Sequence, residues 1–275
     1  MTLRKKIFNF LTYFAVAGIL IVVLFPIVWA VMSALKTGGQ AQAIPPVWFF
    51  KPRFTNYISA FVKRDFGRLL VNSLTVSISS TILSVSFGSL AGYALARFPI
   101  KGKNSIAMWI LSIRMFPPIA AIIPFFLLYK QLGLIDTRIG LIIAYTGFNL
   151  PFAVWIMRGF FDEVPRELDE AALIDGCSPI KVFSRIVLPL AAPGLVATAI
   201  FTMIFAWNEF MFALILSRSQ SQTMPVGVMG FITHRGVIWG EIMAAASIIM
   251  LPMIAFTLFA QKYLVRGLTF GAVKQ

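Results

Sequence analysis

The residues able to do chemistry in this sequence are few and unevenly placed. Of its ten carboxylate side chains, Asp162, Glu163, Glu167, Asp169, Glu170 and Asp175 lie within or just before RELDEAALIDGCSPIKVFSRIVLPLAAP, residues 166–193. A second set interrupts apolar runs: Arg114 in LSIRMFPP, Asn149 shortly before Pro151, and Trp207, Asn208 and Glu209 in WNEF. Ionisable groups at membrane depth are costly, so they are read as functional by default. Arg114 precedes Pro117 and Pro118, which lack backbone donors and loosen a helix. It is expected to face an aqueous path or a buried carboxylate, with snorkelling to an interface as the plain alternative.

Other chemistries are narrowed by scarcity. A single cysteine, Cys177, excludes an internal disulfide and any multi-cysteine metal site. A single histidine, His234, excludes most histidine metal clusters and Ser-His triads, and reads as a solvated loop side chain. No G-x-x-x-x-G-K-[ST] phosphate loop occurs. The formal net charge of +14 does not point to nucleic acid, because the basic residues are scattered between apolar runs.

The elements that must position these residues are membrane helices. The 275 residues are 59% apolar and only 12% charged, with a mean hydropathy of +0.87. Several apolar runs exceed the roughly 20 residues a helix needs to cross the hydrocarbon core. Hydropathy predicts an all-α polytopic membrane protein forming one transmembrane domain, with spans at about 8–33, 70–97, 104–130, 138–159, 187–216 and 242–264. The basic start Arg4, Lys5 and Lys6 and the long run after it read as an uncleaved first span. An even number of spans puts both termini on one side, and the basic ends favour the cytoplasm, although the loop-charge bias is weak.

Two further segments carry local signals. The outer loop 37–68 holds three prolines and Trp48, Phe49 and Phe50, which fit either interfacial anchors or a surface that receives a partner. Gly88 and Gly92 in FGSLAGYALA have GxxxG spacing, which allows close helix approach without naming the neighbour.

The acidic segment then falls in a cytoplasmic loop at about 160–186 and reads as two short helices around a turn. Pro165 suits the first helix's opening turn, and Glu167, Asp169 and Glu170 its positive dipole end. Gly176 fits the position just past the helix end, where positive φ is cheap for glycine. Ser178 and Pro179 offer an N-cap and N1 residue for the second helix. Leu168, Ala171, Ala172 and Asp175 share a shallow stripe that another protein could approach. A solvated hairpin with helix-capping acids is the bland alternative. A helix-turn-helix for DNA fails on charge, since its acids would repel phosphate.

The spacing EAALIDG followed by SPIKVFSRIVLPLAAP resembles the EAA loop of binding-protein-dependent ABC importer permeases. NSL at 72–74, GYALARF at 92–98, LPFAVWIMRGFF at 150–161, WNEF at 207–210 and the terminal RGLTFGAVKQ resemble the MalG-type sugar permeases in particular. The resemblance implies a type I permease fold of six membrane helices with a cytoplasmic coupling helix, in the inner cell membrane with both termini cytoplasmic. It implies contact of Glu170, Ala171, Ala172, Asp175 and Gly176 with a cytoplasmic ATPase dimer, with Cys177 standing where many members have alanine. The tail Gly271, Ala272, Val273 and Lys274 would also touch that dimer. Spans four and five would act as levers.

The implied partners are a second homologous permease, the ATPase dimer, an extracytoplasmic sugar-binding protein, the lipid bilayer and a carbohydrate substrate, with no nucleic acid. No cofactor is expected here, and ATP and Mg belong on the ATPase, so this subunit is not expected to be an enzyme. Asn208 and Glu209 could bond a sugar hydroxyl, pair with Arg114 or hold the second permease, with Asn149 a weaker candidate. Trp207 could stack on a sugar or pack in the core. A stand-alone ion-coupled transporter, a permease for a non-sugar solute, and a receptor or scaffold without a transport path are the alternatives.

Overall fold

The computed structural model describes the backbone of residues 3–234 and 236–270 and the side chains of residues 5, 7–234 and 236–261. In chain order it runs α1 (Leu3–Ala34), α2 (Gly38–Ala41), α3 (Thr55–Lys63), α4 (Phe66–Arg97), α5 (Lys103–Met115), α6 (Pro118–Gln131) and α7 (Arg138–Glu163). The acidic segment forms α8 (Glu167–Ile174), α9 (Pro179–Val182), a π-turn (Phe183–Val187) and α10 (Leu188–Leu190). Then come α11 (Ala192–Trp207), α12 (Met211–Leu216), α13 (Met224–Gly227), a 3-10 turn (Val228–Phe231), and α14 (Trp239–Phe270) after a small hairpin. That hairpin pairs β1 (Ile232–Thr233) with β2 (Gly236–Val237), Ile232 opposite Val237.

By length and composition α1, α4, α7 and α14 can each cross a membrane. Two bent pairs raise the count to as many as six if each is one span: α5 with α6, bent by 89°, and residues 179–190 with α11, bent by 79°. The expected straight spans at 104–130 and 187–216 are thus broken. The first break follows from Pro117 and Pro118, since a residue before proline is pushed extended, and Phe116 and Pro117 have ψ of 126° and 122°. The second lies at Ala191, between Pro189 and Pro193.

The chain divides into two compact units, Met1–Gly67 with Gly227–Pro252, and Arg68–Val226 with Met253–Gln275. In the first, nearly every side chain of α1 up to Val28 is exposed, as suits a helix solvated by lipid. The Asn56 amide donates to the carbonyls of Ala34 (2.8 Å) and Lys36 (2.7 Å), satisfying groups at the end of α1. Lys36 is buried, its ammonium 4.6 Å from the Trp29 ring centre and 5.2 Å from that of Phe50. Of the loop aromatics, Trp48 packs edge-on against Trp29 while Phe49 is fully open.

The second unit gives the GxxxG pair its neighbour. A Cβ on Gly88 would lie 2.5 Å from the Ala153 Cβ, and one on Gly92 2.9 Å from the Arg158 nitrogen and 3.0 Å from the Val154 carbonyl oxygen. Both glycines therefore let α4 meet α7 backbone to backbone. Ser73, Ser77, Ser80 and Ser84 are buried along α4, and the Ser84 hydroxyl donates to the Thr146 carbonyl (3.3 Å).

Candidate functional site

The hairpin is built by ordinary helix chemistry. α8 has Arg166 as its N-cap, one residue past Pro165, and Glu167, Asp169 and Glu170 in its first turn. Its end is a Schellman turn: the Gly176 N–H bonds Leu173 (3.1 Å) and the Cys177 N–H reaches back to Ala172 (3.0 Å). Gly176 stands at φ +83°, and nothing lies within 4 Å of where a Cβ would stand, so glycine is required by backbone angle rather than by space. Pro179 opens α9 as expected, whereas the Ser178 side chain makes no capping bond.

The expected stripe is only partly outward. Leu168, Ala171 and Asp175 are exposed, as are Glu167, Glu170 and Gly176, while Ala172 is 6% exposed and packs with Met157, Phe161 and Val182. Ala172 therefore supports the hairpin from inside and offers no docking surface. Ile174 (86% exposed) and Ile180 (77%) are apolar tips left open beside the acids, which the stripe had not included.

The acids separate into two sets. Asp169 is buried and pairs with the Arg97 Nε at 2.7 Å. Arg97 also donates to the Val164 carbonyl (2.8 Å), and Arg166 donates back to the Ala96 carbonyl (2.9 Å). Asp162 faces Arg158 one turn earlier (3.6 Å). Glu167, Glu170 and Asp175 are left open. Sequence reading missed Arg97 and Arg166; their signal was an arginine at the end of one helix and at the start of another, visible only as helix-end charge.

The polar groups at membrane depth lie in the broken spans. Arg114 precedes the bend and donates to the Phe148 carbonyl (3.1 Å) and, more weakly, to the Asn149 side-chain oxygen (3.5 Å). Its guanidinium lies 4.3, 5.0 and 5.3 Å from the ring centres of Phe205, Phe148 and Phe152. Among the described residues it meets no carboxylate, so of the three roles open to Glu209 the pairing with Arg114 is not made. Asn149 is 2% exposed, with its side-chain oxygen turned to Arg114.

WNEF is a break between helices. Asn208 ends α11 with its amide on the Ile204 carbonyl (2.8 Å), and the Glu209 carboxylate accepts from the Phe212 (3.1 Å) and Ala213 (3.2 Å) N–H groups at the start of α12. Trp207 is 1% exposed and packs in the core, without an open face for stacking. Asn208 alone of the three is exposed. A cavity of about 240 Å³ opens at the bend between α5 and α6, lined by Phe116, Phe125, Tyr129, Phe148 and Phe212. The tail residues Gly271, Ala272, Val273 and Lys274 lie outside the described residues.

Sequence reading also passed over a polar knot at the other end of α7. Asp136 accepts the N–H groups of Arg218 (2.8 Å), Ser219 (3.2 Å), Gln220 (3.0 Å) and Ser221 (3.0 Å), fastening the loop after α12. Asn72 donates to the Gln220 and Gln222 carbonyls (2.9 Å each) and accepts from Arg138 (2.7 Å), while the Ser73 hydroxyl accepts the Met224 N–H (2.8 Å). Burial alone would raise the Asp136 pKa, but the backbone donors outweigh it and hold it at about 2, below the ordinary 3.8. The loop is thus fully fastened above about pH 4 and released as pH falls through about 2. Asp136→Asn is expected to speed hydrogen exchange at residues 218–221 about tenfold at pH 7, worth about 1.4 kcal/mol. Unchanged exchange would remove Asp136 from this role.

Among the described residues, no three His, Cys, Asp or Glu side chains gather to hold a metal ion.

Residues 84–270 match the family described as "Binding-protein-dependent transport system inner membrane component". A "Probable ABC transporter permease protein y4oR" of Sinorhizobium fredii is 42% identical, over 92% of this chain and 91% of that one. The "Trehalose/maltose transport system permease protein MalG" of Thermococcus litoralis is 37% identical, over 92% of each. A solved bacterial ABC transporter "involved in the import of the acidic polysaccharide alginate" has a chain of the same fold, with a TM-score of 0.76, 22% identity and coverage of 96% of this chain and 98% of that one.

Proposed function

This chain belongs to the family of binding-protein-dependent transport system inner membrane components, and on that premise we propose that it is the permease subunit of an ATP-driven carbohydrate importer. The observation that carries the reading is the hairpin. It leaves Glu167, Glu170, Asp175, Ile174 and Ile180 open while burying its other faces on the chain's own helices. An open surface that mixes carboxylates with apolar tips suits a basic-edged cleft on another protein, with Glu170 as the charged contact and Ala171, Asp175 and Gly176 beside it.

The subunit itself does no covalent chemistry in this account. ATP and Mg act on a cytoplasmic ATPase dimer, which the hairpin and the tail Gly271–Lys274 touch. A second, homologous permease completes the path, and an extracytoplasmic binding protein delivers solute. Both termini and the hairpin are then cytoplasmic, and the Asp136 knot faces outward. ATP binding opens the outer side and hydrolysis resets the inward-facing state. Arg114, Asn208 and Glu209 stand beside or within breaks of the membrane helices, where unwound backbone and polar side chains can meet a hydrated solute. Carbohydrate is favoured because a relative identical at 37% is named for trehalose and maltose transport.

Affinity purification of the tagged chain from its own cells tests the reading. Co-elution of an ATPase, lost when α8 is deleted, supports it. A chain that elutes alone and takes up solute on an ion gradient would instead make it a secondary transporter.

A further inference from the structure

We propose that α4 is the main rod linking the hairpin to the loop at the opposite end of the unit, with Arg97 as the positioning residue that fastens the rod to the hairpin. This rests on the coupling role proposed above. The chain itself joins the hairpin only to α7 and, through the π-turn, to α10 and α11. Among the described long helices, α7 carries Pro151 and the path into α11 turns through 79°. The turn into α11 makes that path a poor lever, because a bend absorbs motion, and α7 lacks one backbone hydrogen-bond donor at Pro151. The 32 residues of α4 contain no proline and span about 48 Å at 1.5 Å per residue.

Both ends of α4 are fastened. At one end Arg97 and Asp169 form an ion pair at 2.7 Å, their side chains 5% and 11% exposed. Arg97 and Arg166 each also bond a carbonyl across the joint, on Val164 and Ala96. One turn earlier, the Tyr93 ring packs 5.7 Å from Phe161 of α7 and 4.9 Å from Phe183 of the π-turn. Parting α8 from α4 would break the Arg97–Asp169 pair and the Arg166 bond to Ala96 and strand a buried charge, which is far costlier than separating a surface pair. At the other end Asn72 and Ser73 hold the backbone of Gln220, Gln222 and Met224. A pull on the hairpin therefore reaches that loop through one proline-free helix, beside the covalent path along α7.

The test uses the assembled importer in proteoliposomes and reads solute taken up per ATP hydrolysed. In a Cys177→Ala background, whose own ratio is the reference, Arg97→Cys with Asp169→Cys removes the fastening. The ratio is expected to fall about tenfold while the ATPase stays bound and active. A thiol-specific bifunctional reagent that bridges the two cysteines is expected to restore the ratio to within about twofold. A normal ratio before bridging, or a bridged and assembled importer that does not recover, would overturn the proposal. Should the double variant fail to insert, Asp169→Asn is read the same way, and an unchanged ratio overturns it. Uptake by the reference importer without ATP would overturn the coupling role itself and is scored separately.

Discussion

Uptake is expected to fall at least about a hundredfold when Glu170 is replaced by lysine, with the chain still inserted and folded. Glu170 is exposed in the first turn of α8, and among the described residues its side chain makes no hydrogen bond or ion pair that would hold the hairpin together. Its own contribution to the fold is the helix-dipole term, about 0.3–1 kcal/mol. A hundredfold loss corresponds to about 2.7 kcal/mol, which the dipole cannot supply and a charged contact across an interface can. Glu167→Lys is the matched control, since it occupies the same turn, is equally open and carries the same dipole cost. The account expects uptake near normal in Glu167→Lys, and co-purified ATPase reduced only in Glu170→Lys. Equal losses in both variants would reduce Glu170 to a helix-capping acid.

Gly92→Leu is expected to lower the yield of folded, detergent-extracted protein by about tenfold or more. The atoms that its Cβ would meet are the Arg158 nitrogen and the Val154 carbonyl oxygen, which belong to the α7 backbone and cannot rotate aside. Overpacking costs about 1–3 kcal/mol when side chains can adjust, and more when they cannot. Separating α4 from α7 also loosens the stripe of buried serines, whose hydroxyls need partners inside the bilayer. Gly18→Leu is the control, because that glycine has open space around it on α1. A normal yield and melting temperature in Gly92→Leu would mean the two helices do not meet as closely as described.

The helices and the turn at Gly176 were legible because they depend on local rules: apolar length, proline position and one positive φ. Side-chain direction was less so. Ala172 sits on the same helical stripe as Ala171, but the stripe is wide enough to straddle the boundary, and Ala172 falls on the inner side. Asp169 read as a dipole partner because isolated carboxylates seldom bury; its partner Arg97 comes from a distant helix, and no local pattern announces it. The proline pair at 117–118 reads as a loosening, whereas extended Phe116 and Pro117 make an 89° bend of it. In WNEF the polar pair was taken for groups within a span. A polar pair followed by FMFALIL also reads as a helix stop and a fresh start: Asn208 ends α11, and Glu209, one residue before the Phe210 N-cap, accepts the first free N–H groups of α12.

The most direct measurement of the central claim is uptake of the labelled carbohydrate that the partner binding protein binds, into proteoliposomes holding this chain with its partner permease and ATPase. Binding protein is supplied outside and ATP inside. The account predicts uptake that requires both, stops with a non-hydrolysable ATP analogue, and is lost with Glu170→Lys. Uptake that continues without ATP, or that this chain sustains alone on an ion gradient, would contradict it.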